Sequence, residues 1–201
     1  MTSAKEALEL IKSRRSTRSY SDRPVSRELI DMVIEAGRYA PSGGNNQSTH
    51  FLVITSEEKK REIAELAEKL FARMEVTPDM YRSMASSVMA SKKGGYVFHR
   101  NAPVLVLTAN KKTYSNNIAD CSCALENMML MANALDLGSC WVNQIKWLNS
   151  DPEMVGFLKG CGMLDDEAVY GGVIFGWPDT ESGLPVREPL KRTGNEVTFA
   201  D

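Results

Sequence analysis

The segment from Asn117 to Leu137 constrains the fold more than any other. Ile118, Cys121, Ala124, Leu125, Met128, Met129, Met131, Ala132 and Leu135 recur at helical spacing, yet they cover much of the helix circumference instead of one stripe. Such a helix must be buried on more than one side, so it is either the centre of a domain or part of a subunit interface. A chain of 201 residues is long enough to enclose it in one domain with a sizeable core, and residues 1–201 are read as a single domain. The apolar fraction of 43% and charged fraction of 25% are those of an ordinary globular protein.

The flanking patterns supply the layers. Ala4 to Ser13 reads as a short helix with Ala7, Leu8 and Ile11 on one face. Ser26 caps a second helix carrying Leu29, Ile30, Val33 and Ile34, which ends near Gly37 and Pro41. Glu57 to Met74 is amphipathic, with Ile63, Leu66, Ala67, Leu70, Phe71 and Met74 at helical spacing. Asp151-Pro152 starts another helix. Short β-prone runs lie at Phe51–Thr55, Pro103–Ala109, Gly138–Val142 and Val169–Gly176, the last broken by Gly171-Gly172. Residues 75–101 include a Met-, Ser- and Lys-rich stretch and form a helical excursion or cap; residues 177–201 form an extended arm. Strand and helix do not alternate regularly, and neither a G-x-G-x-x-G after a strand nor a phosphate-loop motif is present. An α+β domain with a mixed central sheet flanked by helices is the expectation.

A formal charge of −2 gives no global attraction to nucleic acid. The apolar stretches fall short of a membrane span and no secretory leader precedes Lys5-Glu6, so a cytoplasmic location without membrane contact is expected. The cysteines, at 121, 123, 140 and 161, include no C-x-x-C pair, and the only histidines are His50 and His99. That spacing argues against a metal site and for buried, reduced thiols.

Two segments carry chemistry. Arg14-Arg15-Ser16-Thr17-Arg18-Ser19-Tyr20 packs three permanently charged, planar donors among short hydroxyls, the composition of a phosphate grip. Ala40-Pro41-Ser42-Gly43-Gly44-Asn45-Asn46-Gln47 is a turn crowded with amides and hydroxyls that can bond a polar ring edge. Together they indicate a phosphorylated small-molecule ligand.

The order of these segments resembles the nitroreductase family of FMN-dependent oxidoreductases. It runs from Arg14–Arg18 and its following aromatic through Ala40-Pro41-Ser42 with Asn45 and Gln47. It continues with Asp120–Leu137 leading into Gly138-Ser139-Cys140-Trp141, then Gly176-Trp177-Pro178, and closes on Arg187-Glu188-Pro189. The resemblance implies a homodimer with FMN at the subunit interface and a C-terminal arm wrapped around the partner. It places Arg14, Arg15, Ser16, Arg18 and Arg187 on FMN, with Arg15, Ser16 and Arg187 near the phosphate and ribityl chain and Arg18 near the pyrimidine edge. Pro41, Ser42, Gly43, Asn45 and Gln47 come from the other subunit. Cys140, Trp141, Val142, Asn143 and Gln144 lie by the ring, with a backbone N–H of Val142–Gln144 near flavin N5. Tyr96, Phe98 and His99 are substrate-pocket candidates within the 75–101 cap. The chain departs from the family where Gln47 is followed by Ser48-Thr49 instead of Pro-Trp. It departs again at Pro185-x-Arg187, where several members have Lys-x-Arg, which leaves Lys191 or Arg192 as a second phosphate cation, and at Asn143-Gln144, where some have an acid and a glycine. The implied reaction is ping-pong: NAD(P)H gives hydride to N5 and leaves, and an oxidised small-molecule acceptor such as a nitroaromatic or quinone is then reduced. Other readings are a flavin-binding redox carrier or sensor without efficient turnover, and a reductive dehalogenase of the same fold.

Overall fold

A computed structural model describes residues 3–200; Met1, Thr2 and Asp201, at the ends of the expected domain and arm, lie outside it. The helices are α1 (Ala4–Ser13), α2 (Arg27–Arg38), α3 (Glu57–Ala72), α4 (Arg82–Lys93), α5 (Asn117–Ala134), α6 (Gln144–Trp147) and α7 (Pro152–Gly160). The strands are β1 (His50–Ile54), β2 (Val104–Lys111), β3 (Gly138–Val142) and β4 (Glu167–Gly176), in spatial order β1-β2-β4-β3. Every strand pair is antiparallel. The expected mixed character reduces to one isolated parallel bridge, Ser16 to Ser139, at the β3 edge.

The helix starts follow from their caps. Ser3, Ser26, Ser56 and Asp151 each accept a backbone N–H of the first turn through the side chain, satisfying donors the helix itself leaves free. β2 is buried at every position but Lys111 because both faces are covered. Leu105, Leu107 and Ala109 join α3 and α7 residues in one core, while Val104 and Val106 join α2 and α5 residues in the other.

α5 is the hub of the second core and contacts α1, α2, β2, β3 and β4. It stops at Ala134, earlier than its apolar pattern, because Asp136 turns left-handed at φ 61°. The Leu137 N–H then reaches back to the Ala132 carbonyl at 2.8 Å, a Schellman closure with Asp in the usual glycine place. β4 continues through Gly171-Gly172 as one strand, against expectation, with a register shift against β2 beside Gly171, where Thr108 faces Gly171 and Ala109 faces Val169. A Cβ on Gly171 would sit 2.6 Å from Leu125 Cδ1, so that glycine admits α5 onto the sheet without ending the strand. Only α6, four residues long and too short to show a period, had no counterpart in the sequence pattern. Of the thiols, Cys121 and Cys140 are buried but Cys123 is exposed, which corrects the uniform expectation.

Candidate active site

The basic segment leaves α1 and runs along β3. The Thr17 N–H donates to the Ser139 carbonyl at 2.9 Å, next to the Ser16–Ser139 bridge. The approach requires glycine at 138, where a Cβ would lie 2.4 Å from Thr17 Oγ1. Arg14 lies 3.8 Å from Glu126 of α5. Arg15 donates to the Glu188 carbonyl at 2.7 Å, which fastens the middle of the arm to the basic segment. Arg18 is exposed, with one long contact to the Ser16 carbonyl at 3.4 Å.

Arg187 lies at the same end of α5. Its guanidinium donates to the Asn133 carbonyl, to Asn133 Oδ1 at 3.3 Å and to Asp136 at 2.7 Å. A cation on the last carbonyls of a helix is favourably placed against the helix dipole. Asn133 completes the junction through Nδ2, which donates to Ser13 Oγ at 2.9 Å and to the Leu10 carbonyl at 3.2 Å. Lys191 and Arg192 are exposed on the arm.

Residues 140–144 follow the bridge along β3 into α6. Cys140 and Val142 face the core, and Trp141 Nε1 donates to Asn143 Oδ1 at 2.7 Å. Gln144 Nε2 donates to the Tyr96 hydroxyl at 3.0 Å, and that hydroxyl lies 2.9 Å from Ser87 Oγ on α4. The Tyr96 N–H is held by Glu68 of α3 at 2.7 Å. The 75–101 segment thus contains a helix, α4, whose Ser87 is tied to the mouth of this region. Phe98 and His99 lie elsewhere: both are buried, and His99 Nε2 is 3.0 Å from the Lys60 carbonyl. Burial holds the His99 pKa below its usual value. Burial also pushes the Cys121 thiol up to about 11, far from a thiolate nucleophile.

The Pro41–Gln47 loop sits at the opposite end of α5. The Gly43 N–H donates to Asp120 at 3.1 Å, and Tyr114 bridges the Gly43 carbonyl (3.2 Å) and Asp120 (2.9 Å). Gly44, Asn45 and Gln47 all have positive φ, and the Gln47 N–H is fixed on Ser42 Oγ at 3.0 Å. Left-handed Asn and Gln so close together are costly and persist only where the surroundings impose them. Pro41, Ser42, Asn45 and Gln47 line a cleft of about 450 Å³ with Thr49, Phe51 and Asp120.

Sequence reasoning missed Ser87, Tyr114 and Asp120. Asp120 carried a usable signal, an acid in the first turn of an otherwise apolar helix; Ser87 and Tyr114 carried none.

The two predicted halves are therefore not brought together within one chain. Asp120, which holds the loop, and Asn133, which holds the basic end, are about 20 Å apart along α5 at 1.5 Å per residue. The donor set still suits a flavin mononucleotide. Permanent cations and a hydroxyl cluster at one end, and amides and hydroxyls line a cleft at the other.

The chain belongs to the nitroreductase family, whose model matches residues 11–177. A protein of Archaeoglobus fulgidus, provisionally named NADH dehydrogenase/NAD(P)H nitroreductase, is 31% identical over 176 residues, covering 88% of this chain and 87% of its own length. The FMN reductase (NADPH) of Bacillus subtilis is 25% identical over 198 residues, covering 96% of this chain and 74% of its own. The crystal structure of a nitroreductase with bound FMN from Bacteroides fragilis superposes with a TM-score of 0.83 at 31% identity, covering 98% of this chain and 99% of that one.

Proposed function

We infer that the protein is an FMN-dependent NAD(P)H oxidoreductase that works as a homodimer. The observation that carries this reading is the separation of the two half-sites at opposite ends of α5. One chain cannot bring both to one flavin, whereas two chains can each supply a complementary half. Family membership and the FMN-bound relative support the cofactor and the reaction class. The exposed apolar patch of Met32, Ala36, Tyr39 and Met131, where Met32 is 46% and Tyr39 80% exposed, supports the second chain.

In this reading Arg15, Ser16 and Arg187 hold the phosphate end of FMN. Arg18 lies at the pyrimidine edge, where its charge favours the anionic reduced ring. Ser42, Asn45 and Gln47 of the second chain bond the ribityl chain and ring edge. The Tyr96–Ser87–Gln144 bonds fix the backbone of Val142–Gln144 that faces N5. When bound, FMN supplies hydride acceptance and release at N5. The protein supplies position, charge and a face from which water is excluded, and donor and acceptor occupy that face in turn. Nitroaromatics and quinones are the acceptor class.

An anaerobic absorbance spectrum of the FMN-reconstituted protein, before and after NADH and then NADPH, tests this. Bound flavin that bleaches rapidly supports the reductase and names its donor. Bound flavin that stays oxidised with both donors indicates a carrier or sensor, and absence of flavin binding overturns the reading. Arg18→Ala is expected to weaken FMN binding and lower the flavin potential; unchanged values would remove the role assigned to Arg18.

A further inference from the structure

Arg18 and the segment from Lys93 to Asn101 border a hollow of about 530 Å³. Its lining holds three cations, Arg18, Lys93 and Arg100, and no carboxylate. Among the described residues none of the three forms an ion pair, while Lys12, Arg27, Arg38, Lys59, Lys92 and Lys159 each have an acidic partner. Unpaired cations facing one space repel one another and raise the local potential, in a chain whose formal charge is −2.

The backbone between Lys93 and Arg100 is a tightly turned segment. Gly94, Gly95, Arg100 and Asn101 all have positive φ, and a left-handed arginine is uncommon. The turn is closed by the Arg100 N–H on the Val97 carbonyl at 3.1 Å and the Ala102 N–H on the His99 carbonyl at 3.0 Å. Buried Phe98 and His99 anchor its middle. The hollow also adjoins the proposed flavin site on two sides. Arg18 belongs to the basic segment, and Tyr96, part of the lining, carries the hydroxyl that receives Gln144 Nε2.

We propose that this hollow is an anion subsite, in which Lys93 and Arg100, with Arg18, take a phosphate or carboxylate on a molecule lying over the flavin. The position over the flavin rests on the functional reading above; the anion binding itself does not. The anion has two possible carriers: the 2′-phosphate of the nicotinamide donor, or a carboxylate on an aromatic acceptor. Guanidinium and ammonium groups bind both, Arg in a fork and Lys as a point charge.

The test is calorimetric titration of the FMN-reconstituted protein with adenosine 2′,5′-bisphosphate, 4-nitrobenzoate and the neutral control nitrobenzene. Wild type is compared with Lys93→Gln and with Lys93→Gln/Arg100→Gln. Lys93→Gln, an exposed helix-end change, keeps the test open if the turn does not tolerate the second substitution. The double variant is expected to lose about tenfold in affinity for an anionic probe, with nitrobenzene unchanged and with wild-type binding weakening as salt rises. Loss for the bisphosphate alone assigns the subsite to the donor, and loss for nitrobenzoate alone assigns it to the acceptor. Loss for both makes it a shared site. Anionic probes that bind the variants as tightly as wild type, or that do not bind wild type, overturn the proposal. A protein that takes up no FMN but still shows the variant-dependent anion loss would overturn the flavin reading and leave the subsite standing.

Discussion

At the scale of single residues, close approach and burial decide what can change. Gly138 has Thr17 at 2.4 Å from where a Cβ would stand, on the flank of the basic segment. Gly138→Ala is expected to cost about 1–3 kcal/mol by overpacking and to weaken FMN, because the Thr17–Ser139 bond holds the segment to β3. Thermal unfolding and a flavin titration check both effects. His99 makes a pH prediction. Its folded pKa lies below 6.5, chiefly through burial and also through the nearby Lys60 charge, with the Lys60 carbonyl and Glu57 acting the other way. As pH falls, the unfolded chain binds the proton first, so stability is complete above about pH 6.5 and is lost as pH drops towards the folded value. Urea unfolding between pH 5 and 7.5 should show that loss in wild type and a flatter profile in His99→Gln. The exposed carboxylates of Glu153 and Asp165, held below their usual values by Lys and Arg partners, act at lower pH.

At the scale of elements, α5 organises both the core and the site. Its first turn holds the Pro41–Gln47 loop through Asp120, and its last turn holds α1 and the arm through Asn133. Asn133 is buried, and its side chain serves Leu10, Ser13 and Arg187 at once. Asn133→Ala is expected to cost about 1–3 kcal/mol, since it removes the bonds that a buried side chain makes to the partly buried Leu10 carbonyl and Ser13 hydroxyl and loosens the Arg187 anchor. Denaturant unfolding measures the cost. Greater proteolytic sensitivity of the 177–200 arm would show that the anchor has loosened. An unchanged digestion pattern would mean that the Asp136 pair and the Arg15–Glu188 bond suffice.

At the scale of the whole molecule, the arm makes little sense alone. Val186, Leu190, Val197 and Phe199 are 57%, 59%, 75% and 82% exposed, apolar side chains on a segment without regular structure. Covering Val197 and Phe199 on a second chain would contribute roughly 1.5–3 kcal/mol each. A chain ending at Gly194 keeps Arg187, so it separates arm burial from phosphate binding. It is expected to dissociate at higher concentration than the full chain in sedimentation equilibrium and to hold FMN less tightly. Equal dissociation constants would assign the dimer contact to the Met32–Tyr39–Met131 patch instead.

Much of this was legible in the residues themselves, for local reasons. Ser26 and Asp151 announce helix starts because a cap acts within three residues. The apolar circumference of α5 announces burial because periodicity is a property of one segment. The basic segment and the Pro41–Gln47 turn announce ligand chemistry because their side chains do so in any fold. What was not legible depends on distant partners. Lys60 looks like part of a solvated face of α3, yet it is buried because the Ala102 carbonyl, 42 positions away, accepts its ammonium at 2.9 Å. Gly171-Gly172 looks like a strand break until Leu125 is seen against it. The spread of the two half-sites to opposite ends of α5, and the convergence of Arg18, Lys93 and Arg100 on one hollow, are settled by how helices and sheet stack. Sequence spacing determines which side chains share a face; only packing decides which faces meet.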